Sequence, residues 1–175
     1  QLIIDISLYR HKRVNEYFLG SEAVPSVIDY TNSKYIKKLQ AVDKYEAIEE
    51  LAMVFKDSDF CDDIETLISA LKEREQIMST GIGFGIAIPH AKINTVKEIA
   101  FAIGISEKGI DFDAMDGQPV KLIILVIAGE KQHKDYLKLL SNIMGILKKE
   151  PVKESIINAS SPEEIIEIFK KNSSI

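Results

Sequence analysis

Three histidines stand in this 175-residue chain, at His11, His90 and His133. Imidazole is the side chain whose ordinary pKa lets it serve near neutral pH as base, nucleophile or metal ligand, so each is weighed first. His11 lies between Arg10 and Lys12 and reads as part of a solvated basic run. His90 follows the apolar string Ile86-Ala87-Ile88 and Pro89, and precedes the small Ala91. Proline fixes φ and has no amide hydrogen, which predicts that the strand stops at Pro89 and turns the next side chain out at its end. Strand ends are where α/β proteins bind ligands. A histidine that merely closes a turn fits the same residues. His133 begins a helical segment after the most apolar strand; it meets His90 if both sit at one end of the sheet, and is otherwise a surface histidine at a helix start.

Other chemistries find little support. Gly81-Ile82-Gly83-Phe84-Gly85 invites a nucleotide-loop reading, but the spacing lacks the last glycine of the dinucleotide fingerprint, no Lys-Ser/Thr pair follows, and a strand comes next rather than a helix. The glycines are expected instead to let the backbone turn and pass close to another surface. A hydrolase nucleophile elbow, G-x-S-x-G, is missing from the sequence, as are H-E-x-x-H and paired-cysteine zinc spacings. Neither a metal nor a cofactor is expected. The lone Cys61 is read as a structural thiol in a reducing cytoplasm. With 22 basic against 27 acidic residues the net charge is -5, which argues against nucleic acid as a partner. The longest apolar stretch, Leu122 to Ala128, is far short of the roughly 20 residues a membrane-spanning helix requires.

The elements that must position these residues follow from periodicity. Residues 1–24 are read as an N-terminal extension or linker, with Gln1 in place of methionine suggesting a fragment or processed chain, and residues 25–175 as one domain. Tyr35 to Leu39 predicts a short strand. Tyr45 to Phe55 predicts a helix with Ile48, Leu51, Ala52 and Phe55 on one face. Asp62 and Asp63 open a second helix through Ile64, Leu67, Ile68 and Leu71, with Arg74 in its last turn. Ile86 to Ile88, Ile99 to Ile105 and Lys121 to Ala128 predict strands, the last apolar on both faces and therefore central. Asp113 to Pro119 reads as a polar turn. Lys134 to Leu147, Pro151 to Asn158 and a helix opened by the capping box Ser161-Pro162-Glu163-Glu164 complete an α/β fold, a mixed sheet with helices on both faces.

From Ser79 to Ala91 the chain resembles the enzyme IIA domain of the bacterial phosphoenolpyruvate-dependent sugar phosphotransferase system, fructose/mannitol class. The family string runs from a glycine or small residue through aliphatic-Ala-aliphatic-Pro-His to a small residue, and Gly83 to Ala91 satisfies each position. The likeness extends from about Ser26 to Phe169 and includes Asp116-Gly117-Gln118-Pro119-Val120. It implies that His90 accepts a phosphoryl group from the phosphohistidine of the carrier protein HPr and passes it to a cysteine of an enzyme IIB domain in sugar uptake. Arg74 and His133 match the family's arginine and second histidine, as donors to the phosphoryl oxygens, with Thr80 and the amides of Gly81 and Gly83 as further support. Arg74 capping its own helix, and Thr80 simply ending the loop, stand beside those roles. The resemblance also admits a regulatory version of the nitrogen-related type, or the cytoplasmic part of a transporter or transcription regulator, whose phosphorylation state controls partner binding. A shallow surface depression around His90, suited to a docking protein, is the expected setting.

Overall fold

A central antiparallel pair organises the chain. In the computed structural model, which describes residues 25–173, β5 (Ala100–Ile110) runs against β6 (Val120–Ala128) from Ala100↔Ile127 to Ile110↔Val120. β1 (Ile36–Lys38) adds to β5 in parallel. On the far side of β6 lie β3 (Ile86–Ala87) and β4 (His90–Lys92), both parallel to it, and β2 (Gly81–Gly83) pairs antiparallel with β3. The result is a mixed six-stranded sheet.

Strand β6 is apolar on both faces because both are covered. Leu122, Ile124, Val126 and Ala128 join a core with α3 (His133–Leu147), α4 (Glu150–Ile157) and α5 (Pro162–Asn172). Ile123, Leu125 and Ile127 join a second core with α1 (Lys44–Ala52) and α2 (Ile64–Ile77). Alternation with period two assigns each residue to its layer. The mixed sheet with helices on both faces predicted from the pattern is the observed architecture. The extension read over residues 1–24 lies outside the described residues.

Two local expectations change. The strand breaks at Ile88 and Pro89, but the pairing does not end there: Ile86 and Ala87 pair with Leu122 and Ile123, and His90 and Ala91 with Val126 and Ile127, so the register is the same on both sides of the break. The Pro89 carbonyl still accepts from the Val126 amide at 2.9 Å. Proline therefore removes one donor from the ladder, and tertiary pairing carries the chain straight on. At the start of α5, the Ser161 hydroxyl accepts from the Glu164 amide, but the Glu164 carboxylate reaches back to Ser160, one residue before the cap, at 2.8 Å from its amide and 2.7 Å from its hydroxyl. The reciprocal half of the capping box is shifted by one position.

Candidate phosphoacceptor site

His90 and Lys92 are two apart on β4, so period two gives them the same face as Ile86 and Ile88, toward α3. The alternate residues Ala87 and Ala91 belong to the opposite core. His90 keeps 8% of its surface open, a deeper setting than the shallow depression expected. Its Nδ1 lies 2.9 Å from the Ile88 carbonyl oxygen. A carbonyl can only accept, so Nδ1 carries the hydrogen, and Nε2 of the neutral ring holds a bare lone pair. Burial pushes the imidazole pKa down from 6.5 to about 4; the bond to Ile88 opposes that drop, and the positive charges of Arg74 and Lys92 add to it. The group is thus a neutral nucleophile across the physiological range.

The other residues singled out above distribute unevenly around it. His133 is the first residue of α3, and its ring centroid is 6.4 Å from that of Tyr136, which lies 6.0 Å from the His90 ring on its own account. One tyrosine therefore touches both histidines. Arg74, in the last turn of α2, is near enough to act on the His90 charge, and it donates from Nη1 to the Met78 carbonyl at 2.9 Å. That bond caps the helix. A guanidinium has five N–H donors, so capping and phosphoryl binding are compatible roles.

Thr80 is 1% exposed and gives both its hydrogen-bond donors to Glu75: the hydroxyl at 2.6 Å and the amide at 3.1 Å. Its carbonyl accepts from the Ile88 amide at 3.0 Å, which places it beside the residue that orients His90. The Gly81 amide donates to Ser79 Oγ at 3.0 Å. A Cβ on Gly81 would come within 2.9 Å of Ala114 Cα, so this glycine is required by close backbone approach. Gly83 pairs with Ile86, four residues along the line from His90. The hairpin between β2 and β3 turns through Phe84 and Gly85, both at positive φ. Its tip is fixed by Asp116 Oδ2, which accepts from the Phe84 amide at 2.9 Å, and by Lys153 Nζ, which donates to the Phe84 carbonyl at 2.7 Å.

Lys92 and Tyr136 were missed by the sequence reading. Lys92 Nζ is 2.5 Å from His133 Nδ1 and 5.3 Å from the centre of the Tyr136 ring. The signals were there: Lys92 is two residues from His90 on a strand, and Tyr136 three residues from His133 on a helix, both same-face spacings. Among the described residues, no three His, Cys, Asp or Glu side chains gather in an arrangement that would hold a metal.

Comparison with known proteins agrees with this geometry. The chain is 38% identical over 123 residues to a fructose-specific EIIA component of Haloferax volcanii, covering 70% of this chain and 80% of that protein. It is 34% identical over 134 residues to the fructose-specific EIIABC component of Bacillus subtilis, 77% of this chain but 21% of the length of that relative. The solved nitrogen regulatory protein IIA-Ntr of Neisseria meningitidis superposes with a TM-score of 0.74 at 29% identity, over 81% of this chain and 97% of that one. Residues 30–172 match the family described as "Phosphoenolpyruvate-dependent sugar phosphotransferase system, EIIA 2". With the Pro-His string seated on β6 and a neutral imidazole at its end, the chain belongs to that family.

Proposed function

We propose that His90 is the phosphoryl acceptor of a phosphohistidine relay, taking the group from an HPr-type carrier and passing it to a cysteine of an enzyme IIB domain in sugar uptake. The observation that carries this reading is the His90 Nδ1 contact with the Ile88 carbonyl, which leaves Nε2 as a nucleophile without any prior loss of a proton. In the first step an Nε2–P bond forms while the N–P bond of the donor breaks, and the donor imidazole leaves with the electron pair. The ring of His90 then carries positive charge, and its Nδ1–H bond to Ile88 strengthens as that charge develops. In the second step a cysteine thiolate attacks phosphorus, an S–P bond forms, and His90 leaves as the neutral imidazole it was. No electrons are gained or lost overall, and no metal is called for.

Arg74 and His133 donate to the phosphoryl oxygens as they spread charge in transfer. Thr80, Gly81 and Gly83 serve one step further out, by fixing the strand pair that holds Ile88 in place. The phosphotransfer unit is residues 25–175, working in the cytoplasm, with residues 1–24 as its extension. The name of the Bacillus subtilis relative joins A, B and C components in one protein, which favours an enzyme IIB domain as receiver. The name of the Neisseria meningitidis neighbour favours the second reading, in which phosphorylation of the same histidine sets the affinity for a regulated transporter or transcription factor.

The test is to supply labelled phosphoenolpyruvate, the first enzyme of the system and HPr. Acid-labile label on His90, lost in His90→Ala and His90→Gln, is expected; label that persists in both variants would overturn the assignment. Chase onto an added enzyme IIB cysteine selects uptake, and its failure selects regulation. His133→Ala should slow labelling about 100-fold, the usual cost of deleting a preorganised donor, while leaving the label on His90.

A further inference from the structure

Lys92 has no part in the relay as described so far, yet it makes the tightest polar contact in the neighbourhood of the two histidines. Its Nζ sits 2.5 Å from His133 Nδ1 and is steadied by the Tyr136 ring at 5.3 Å. A lysine ammonium has three donors and no acceptor, so in this pair the hydrogen comes from lysine and Nδ1 of His133 must present a lone pair. A neutral imidazole with a bare Nδ1 carries its hydrogen on Nε2. The opposite holds at His90, where the Ile88 carbonyl requires the hydrogen on Nδ1 and leaves Nε2 bare.

We infer that Lys92 is a positioning residue that fixes His133 as the Nε2–H tautomer and sets its ring, so that the two histidines carry opposite tautomers: one a lone pair to attack phosphorus, the other an N–H for a phosphoryl oxygen. The division needs two different orienting groups, and the structure supplies them, a backbone acceptor for His90 and a side-chain donor for His133. Lys92 reaches both ends because β4 places it on the face of His90 while α3 begins with His133. The shared contact of Tyr136 with both rings and with the Lys92 ammonium keeps the three in one cluster.

The catalytic consequence rests on the phosphoacceptor reading of His90, whereas the tautomer itself is measurable without it. The full chain, labelled with ¹⁵N and held at about pH 8, where an ordinary imidazole is neutral, is read for the ¹⁵N shifts of both ring nitrogens of His133. Nε2 protonated and Nδ1 bare is the expected pattern. Lys92→Met should relax it toward a mixture, Lys92→Arg should keep it, and Lys92→Glu should invert it, since a carboxylate accepts from Nδ1–H. Labelling of His90 by phospho-HPr should fall roughly 10-fold in Lys92→Met, less than the loss of a whole preorganised donor, and recover in Lys92→Arg. A wild-type His133 protonated on Nδ1, or a Lys92→Glu chain with an unchanged tautomer, would overturn the inference. An unlabelled His90 in the wild-type chain would instead remove the phosphoacceptor reading and leave the tautomer result standing.

Discussion

The two ends of the line formed by β3 and β4 are built from one continuous stretch of sequence, yet they work in opposite ways. At the hairpin end, polar groups close on one another: Asp116 holds the Phe84 amide, Lys153 the Phe84 carbonyl, and Ser79 the Gly81 amide. At the other end, His90 is oriented by a single carbonyl and leaves its second nitrogen uncommitted to that bond. The glycines of the hairpin allow close backbone approach at Gly81 and positive φ at Gly83 and Gly85.

That contrast is open to attack from both sides. The largest expected effect is on stability against pH. A histidine whose folded pKa is lowered to about 4 binds fewer protons than the unfolded chain between pH 6.5 and 4, so stability falls as pH drops through that window. The loss should approach an order of 3 kcal/mol by pH 4, at about 1.36 kcal/mol for each pKa unit. Urea unfolding of the wild type and His90→Gln at pH 7 and pH 4.5 checks it, and an equal pH slope in the two would mean that the imidazole end is not held neutral. Next, at the hairpin end, Gly81→Ala forces a Cβ against the Ala114 backbone and should destabilise by about 2 kcal/mol in the same assay. Lys153→Met removes the buried ammonium from the Phe84 carbonyl and should cost about 1.5 kcal/mol while leaving the labelling rate of His90 unchanged. A large fall in that rate would show the two ends to be coupled. The smallest effect is a gain. Phe84 is 75% exposed at φ 58, so Phe84→Asn should raise the unfolding free energy in the same assay by about 0.5 kcal/mol, as asparagine tolerates this region better.

How much of this could be read beforehand depended on the range of the forces involved. The apolar β6, the amphipathic helices and the Pro-His string were legible because period and local chemistry specify them, and the family resemblance was borne out by the match over residues 30–172. The continuation of pairing past Pro89 was not legible, because proline's local signal says stop and only β6, more than 30 residues away, says otherwise. The commitment of Thr80 to Glu75 was hidden for a related reason: a buried carboxylate in the last turn of a polar-looking helix gives no sign in the sequence that it faces inward. Lys92 was overlooked because a lysine next to a candidate site looks like any surface lysine until α3 brings His133 to it.

The unbroken register across Pro89 has one more consequence. Ile86, Ile88 and His90 belong to the α3 side and Ala87 and Ala91 to the α1 and α2 side, so with Ile86 and Ala87 held in register, removing or adding a single residue between Ala87 and His90 would swap the faces of His90 and Ala91. The imidazole would then be driven into a space sized for a methyl group, and an alanine would look out at Tyr136. Substitutions along this stretch alter a side chain; an indel would turn the His90 imidazole to the opposite face of the sheet, which makes the count of residues, more than their kinds, the quantity that cannot drift.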